Sequence, residues 1–205
     1  VKLVSIVTPT IPGRENLLVG RCVPSVLAQT WTGGVQHVIV SDRNPVLRER
    51  VDELGGATFV ELNETWRDGV KERSTGAIPW RIGSVLALGD YVGFLGDDDE
   101  LLPEHIERHV AGLEESGSDF TIGPVRFVVR GQDVGIIGDA TFAHGHLDSD
   151  GIMCRADALR TATWRPADNN AADAQLVLDW LSSGLRGHFI GGQPTAVHHD
   201  GWAAR

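Results

Sequence analysis

What most constrains this chain is the rhythm of its first half. Short, largely apolar runs alternate with segments of helix length, and three of the runs end in polar residues. The runs are Leu3–Val7, Val35–Val40, Thr58–Leu62 and Asp90–Leu95. Strands buried on both faces read as near-continuous apolar runs, and strand–helix alternation builds a mostly parallel sheet covered by helices. The periodicity predicts helices over Asn16–Gln29, Pro45–Leu54, Trp80–Leu88 and Pro103–Glu115. Pro24 lies inside the first and predicts a kink. The polar stretch from Asn63 to Pro79 carries no clear pattern.

The second half changes character. Phe120–Val129 reads as one long strand, followed by a glycine-spaced segment from Gly131 to Gly138. Gly151–Arg155 reads as a short strand, Ala156–Thr161 as a short helix and Ala171–Ser183 as a longer one. His188–Ile190 and Thr195–His198 read as extended. The chain of 205 residues suits a single domain, with a change of role near residue 118. Residues 1–117 form one functional half and residues 118–205 the other.

Composition narrows the function classes. Acidic residues outnumber basic ones 28 to 18, for a net charge of −10. A non-specific nucleic-acid binder shows the opposite balance, so nucleic acid is not an expected partner. No apolar run approaches the roughly 18 residues of a membrane-spanning helix. The opening VKLVSIVTP reads as a strand and not as a signal peptide. Cys22 and Cys154 are the two cysteines, far apart and outside any CxxC, which fits a reducing cytoplasm. Oligomeric state stays open.

The polar strand ends mark where chemistry belongs. In open parallel α/β sheets, ligands bind beyond the carboxyl ends of the strands. Thr8-Pro9-Thr10, Ser41-Asp42 and Gly96 to Asp99 would converge there. Neither a GxGxxG nor a GxxxxGK[ST] is present, which excludes the dinucleotide fingerprint and the P-loop.

The run Gly96-Asp97-Asp98-Asp99-Glu100 is the most informative segment. Four successive acids repel one another unless water or a cation neutralises them. Mg²⁺ and Mn²⁺ take carboxylate oxygens together with substrate phosphates. Two carboxylates one residue apart can share such an ion and leave positions for a diphosphate. The same run also reads as a solvated acidic turn. His144, His146, Asp148 and Asp150 alternate, and on a strand they would share one face, as a second metal cluster, an acceptor-binding wall or a polar surface. His198-His199-Asp200 reads as metal ligands or as an exposed tail. Trp202 falls near the same loops, and sugars stack on aromatic faces.

These segments together resemble the family 2 glycosyltransferases. VSIVTPTIPGRENLLVGRCVPSVLAQTW resembles that family's first strand, loop and helix, and HVIVSD its second strand. RIGSVLALGDYVGFLGDDDELLPEHIERHV resembles its central signature, with the DXD motif inside it. DAQLVLDWLSSGLRGHFI and VHHDGW resemble its later acidic and histidine segments.

The resemblance implies a GT-A fold, with a Rossmann-like, mostly parallel central sheet flanked by helices and a smaller acceptor-side subregion. It implies that residues 1–117 bind the nucleotide sugar and residues 118–205 the acceptor. Thr8, Pro9, Thr10 and Arg14 would border the nucleotide, Asp42 would meet the uracil or ribose, and Arg81 the base or diphosphate. Asp97 and Asp99 form the DXD, and Asp98 would meet the ribose or sugar. Asp97, Asp99 and His199 are the implied metal ligands, with Mn²⁺ or Mg²⁺ as cofactor. Asp173 is the implied catalytic base, preceded here by Ala172 where the family usually has glutamate. His146, Asp148 and Trp202 are candidates for the acceptor side.

The function so implied is a metal-dependent, inverting glycosyltransferase. It moves a sugar from a nucleoside-diphosphate donor, with UDP favoured, to a hydroxyl of a small-molecule or glycan acceptor. Two other readings share these features. One is a nucleotidyltransferase or pyrophosphatase-like enzyme, which also pairs acids around Mg²⁺. The other is a domain that binds a nucleotide sugar without turnover.

Overall fold

The computed structural model describes residues 1–62, 76–166 and 171–200, so Trp202 and most of the stretch from Asn63 to Pro79 lie outside the described residues. Among the described residues, eleven strands form two sheets. The central sheet has seven strands in the order β10-β6-β9-β4-β1-β2-β3. They are β1 (Leu3–Thr10), β2 (Gly34–Asp42), β3 (Thr58–Leu62), β4 (Tyr91–Phe94), β6 (Phe120–Ile122), β9 (Ile152–Arg155) and β10 (Gly187–Phe189). β1 pairs in parallel with β2 and β4, β2 with β3, and β6 with β10, while β9 runs antiparallel between β4 and β6. A smaller sheet, ordered β5-β11-β7-β8, comprises β5 (Glu100–Leu101), β7 (Val125–Val129), β8 (Gln132–Ile137) and β11 (Ala196–Asp200).

The helices lie where the periodicity puts them, with shifted ends. They are α1 (Glu15–Leu17), α2 (Val23–Leu27), α3 (Pro45–Glu49), α4 (Ala77–Leu86), α5 (His105–Ser116), α6 (Ala158–Thr161) and α7 (Ala172–Ser182). Single 3₁₀ turns follow α3 and precede β9, at Val51–Leu54 and Ser149–Gly151. The kink predicted at Pro24 is replaced by a widened π-helical segment, Leu18–Cys22, that joins α1 to α2. Its last bond runs from the Val23 N–H to the Leu18 carbonyl, five residues back. The wider turn accommodates the proline ring, and the helix continues without breaking.

Two expectations for the second half are corrected. Phe120–Val129 is two strands in different sheets, because Gly123-Pro124 interrupts it. Pro124 has no N–H for a ladder, and a Cβ on Gly123 would lie 2.6 Å from His109 Nε2. The bend carries the chain from β6 into β7 of the smaller sheet. The His144–Asp150 stretch is not a strand. It is a turn region leading into the 3₁₀ turn at Ser149–Gly151, so the four polar residues do not form one alternating face, although Asp148 and Asp150 both reach His198. The glycine-spaced segment becomes β8, joined to β7 through Arg130-Gly131, both left-handed at φ 50° and 77°.

Both halves of the chain build one core. Trp80 of α4 stacks on Trp164 with centroids 4.4 Å apart, and the Phe94 ring meets Trp164 edge-on at 4.8 Å. Cys22 and Cys154 are buried free thiols. Among the described residues, no helix is long and apolar enough to cross a membrane.

Candidate active site

The turn after β4 is the centre of the site. Gly96, Asp97, Asp98 and Asp99 follow the strand end, and all three aspartates are buried. Sequence proximity would force their charges together, but the fold sends each in its own direction. Asp97 is held from the β1 side. Its Oδ2 accepts from Thr10 Oγ1 at 2.8 Å, and its Oδ1 accepts from Arg14 Nη1 at 2.8 Å. Arg14 Nη1 also lies 2.6 Å from Asp98 Oδ1, so one guanidinium clamps two carboxylates. Arg21 Nη1 donates to the Asp98 carbonyl at 2.6 Å, a contact the sequence did not announce. The π-helical segment includes Arg21. Burial, then the charges of Asp99 and Asp97, push the Asp98 carboxyl up to about 7 despite Arg14.

Asp99 turns the other way, toward β11. Its Oδ1 accepts the His199 N–H at 2.6 Å, and its Oδ2 lies 3.3 Å from His198 Nδ1. Glycine at 96 makes this approach feasible, since a Cβ there would lie 2.2 Å from Asp99 Oδ2. The Gly96 N–H donates to Asp150 Oδ1 at 2.8 Å, which ties the turn to the segment before β9.

Adjacent residues on a strand face opposite ways, and this separates the two histidines. His198 faces the cluster, with its ring stacked on Phe127 of β7 at 4.5 Å. Its Nδ1 lies 3.5 Å from Asp150 Oδ2 and 3.6 Å from Asp148 Oδ2. His199 points its ring away, with Nε2 3.2 Å from Glu100 Oε1. The site histidine named from the sequence was His199, so the strand's alternation shifts the contact by one residue. Burial would lower the His198 pKa, but Asp150 and Asp99 raise it to about 12.

Asp173 stands in the first turn of α7 with its Oδ1 accepting the Ala174 N–H at 2.7 Å. Burial and then the charge of Asp148 raise its carboxyl to about 7, while His198 pulls it down. The charges of Asp148 and His198 both act on it.

The remaining sequence candidates are distributed differently. Thr8 turns into the sheet, with Oγ1 2.9 Å from His37 Nε2. Pro9 is half-buried beside it, and Asp42 is buried at the end of β2. Arg81 is exposed on α4. His146 is exposed and bonds Asp139, with Nδ1 2.7 Å from Oδ2, apart from the alternating face expected for it.

The donor set suits a divalent cation. Asp99, Asp150 and His198 offer one ligand atom each, all within 4.8 Å of one another. Asp150 Oδ2 and His198 Nδ1 are buried without a hydrogen-bond partner. Two carboxylate oxygens and an imidazole nitrogen are ligands that Mn²⁺-type ions accept. The family resemblance implies Asp97, Asp99 and His199 as ligands, whereas the sequence offers Asp150 only within a second, alternating group and His198 only as the neighbour of His199. The signals that could have found them are the Asp-Ser-Asp spacing before β9 and strand alternation across His198-His199.

The model of glycosyl transferase family 2 matches residues 5–136. That stretch runs from β1 into β8 and includes the acidic turn, but ends before Asp148, Asp150, Asp173 and His198. No curated protein matches the sequence. Crystal structures of S. aureus TarS share the architecture. TarS 1-349 in complex with UDP superposes with a TM-score of 0.74 at 15% identity, over 97% of this chain and 60% of that one. The complex with UDP-GlcNAc gives 0.73 at 16%, over 98% and 59%. A longer S. aureus TarS gives 0.70 at 14%, over 97% and 37%. This chain therefore spans about 60% of the length of TarS 1-349. With a family match across more than half its residues and this shared architecture, the chain belongs to glycosyl transferase family 2 and has the GT-A fold.

Proposed function

We propose that this chain is an inverting glycosyltransferase that moves a sugar from a nucleoside-diphosphate donor to an acceptor hydroxyl. The observation that supports the reading is Asp173, a carboxylate in the first turn of α7 whose pKa is raised to about 7 by burial and by the charge of Asp148. A base poised near neutral pH is suited to take a hydroxyl proton. UDP is the favoured nucleotide, because TarS structures hold UDP and UDP-GlcNAc. The acceptor is a small molecule or a glycan. The buried free thiols fit a cytoplasmic setting.

In this reading Thr10 and Arg14 hold Asp97 and brace the turn against the end of β1. Asp42 lies at the end of β2, where a nucleoside would be received, and Arg81 lies on α4. Asp173 accepts the proton of the acceptor hydroxyl while its oxygen attacks the anomeric carbon. The bond from that carbon to the diphosphate oxygen breaks, and the nucleoside diphosphate leaves with the electron pair. Attack opposite the leaving group inverts the centre. A divalent cation held by Asp99 and His198 would supply positive charge against the diphosphate. Orientation of both substrates supplies much of the remaining acceleration.

The test is calorimetric titration of UDP, dTDP and GDP, each with and without Mn²⁺. Metal-dependent binding of one nucleotide supports the reading and names the donor class. No binding of any of the three overturns it. Release of free pyrophosphate from a nucleoside triphosphate would instead identify a nucleotidyltransferase.

A further inference from the structure

Asp150 belongs to the donor set but has no part in the reaction proposed above. It is fully buried, on the 3₁₀ turn Ser149–Gly151, outside the segment matched by the family model. Its backbone N–H donates to Asp148 Oδ1 at 3.0 Å, and its Oδ1 accepts the Gly96 N–H at 2.8 Å. The first bond fixes its backbone and the second its carboxylate. Its Oδ2 is left without a hydrogen-bond donor and aims at His198 Nδ1, 3.5 Å away and likewise without a hydrogen-bond partner. Asp99 Oδ2 completes the group at 3.3 Å from the same nitrogen.

Two buried polar atoms within ion-pair range of one another but without hydrogen-bond geometry stay under-satisfied unless something lies between them. One imidazole cannot point Nδ1 at three carboxylates with good geometry. An ion can, because ligands about 2.0–2.2 Å from a common centre stand about 3.0–4.4 Å from one another. The 3.3 and 3.5 Å separations fall in that range. The set is already held: Asp150 by Gly96, Asp99 by the His199 N–H and His198 by its stack on Phe127.

We propose that Asp150 is a third protein ligand, with Asp99 and His198, for one transition-metal dication, and that this site fills without nucleotide. The proposal rests on the metal-dependent reading above and goes beyond it in the third ligand and in the order of binding. An imidazole nitrogen favours Mn²⁺-type ions over Mg²⁺, which prefers an all-oxygen shell and keeps its waters. A preformed site would let the nucleotide diphosphate arrive at an ion already in place.

The experiment titrates Mn²⁺ alone into the full chain, read by loss of the free-ion electron paramagnetic resonance signal. One ion per chain is expected, and a tenfold excess of Mg²⁺ is expected to leave it bound. Asp150→Asn retains an oxygen for the Gly96 N–H, and a thermal melt of the metal-free variant verifies its fold. Its Mn²⁺ affinity is expected to fall by about tenfold or more, at least the loss typical of an outer-shell partner. Unchanged affinity in a folded Asp150→Asn variant overturns the proposal. So does the absence of Mn²⁺ binding to the wild-type chain without nucleotide. If Mn²⁺ binds only together with UDP, this inference fails while the glycosyltransferase reading stands. If neither Mn²⁺ nor nucleotide binds, both fail. Should Asp150→Asn not fold, anomalous diffraction from Mn²⁺-soaked wild-type crystals decides. A peak in contact with Asp150 Oδ2 supports the assignment, and a peak that excludes it overturns it.

Discussion

At the residue scale the site is governed by how burial and neighbours divide labour among like carboxylates. Asp97, Asp98, Asp99, Asp148, Asp150 and Asp173 share a chemistry but not an environment. Arg14 claims Asp97 and Asp98, whereas His198 gathers Asp99, Asp148 and Asp150. Asp173 feels the charge of the second group, and burial followed by Asp148 raises it from 3.8 to about 7. As a base it works ionised, so kcat/KM is expected to rise with pH along a limb centred near 7. Replacing Asp148 with Asn removes a like charge, so the limb is expected to shift to lower pH. A limb that does not move would remove Asp148 from the tuning of the base. Asp173→Asn is expected to cut turnover by about 10²–10⁴-fold while donor binding, followed by calorimetry, is retained. The same raised pKa has a sign for stability. Asp173 binds its proton more tightly folded than unfolded, so its contribution is present below pH 3.8 and lost as pH rises through about 7. Asp173→Asn is therefore expected to melt higher than the wild type at pH 8. Gly96 gives a steric counterpart. The Cβ of Gly96→Ala would lie 2.2 Å from Asp99 Oδ2. The variant is expected to fold but to displace Asp99 and lose about tenfold or more in Mn²⁺ affinity, measured by the same titration.

At the element scale the sequence made strands and helices legible where local physics decides. β1, β2, β3 and β4 read from their apolar runs, and α5 and α7 from their periodicity, with ends shifted by at most three residues. What it obscured were positions where a contact from elsewhere wins. The π-helical turn before Pro24 shows only as a proline in a helix. The break at Gly123-Pro124 looks like part of one strand until Gly151 and His109 are packed against it. Helix α4 makes the point quantitatively. Gly83 lies in its middle, and alanine there would ordinarily gain about 1 kcal/mol from helix propensity. Here the added Cβ would lie 2.3 Å from Val7 Cγ1 and 3.3 Å from Val40 Cγ2, since the helix rests on β1 and β2. Gly83→Ala is expected to destabilise the chain by about 1–3 kcal/mol in urea denaturation. A stabilised variant would show that the helix can lift from the sheet without loss.

At the scale of the whole molecule the two halves are inseparable. β6, β9 and β10 extend the sheet begun by β1, β2, β3 and β4, and Trp164 packs against Trp80 and Phe94. Residues 1–117 alone would leave β4 as an open edge beside an unfilled aromatic core. That fragment is expected not to fold, read as collapsed amide dispersion in its NMR spectrum, and independent folding would refute the shared core. The site is divided in the same way. Asp97, Asp98 and Asp99 come from the first half, and Asp148, Asp150, Asp173 and His198 from the second.

The sequence by itself determined the α/β class, the polar strand ends, the acidic turn and the acid in the first turn of α7. It could do so because apolar periodicity, turn residues and charge runs act over a few neighbouring positions. Tertiary structure alone decided which histidine faces the cluster, since one residue of register on β11 turns a side chain to the opposite face. It alone brought Asp150 within 3.5 Å of His198 across the two sheets. It also decided why glycine stands at 96, where the space a side chain would need is already taken by Asp99. Ligand geometry depends on distances between residues about 50 to 100 positions apart, and no local pattern encodes those distances.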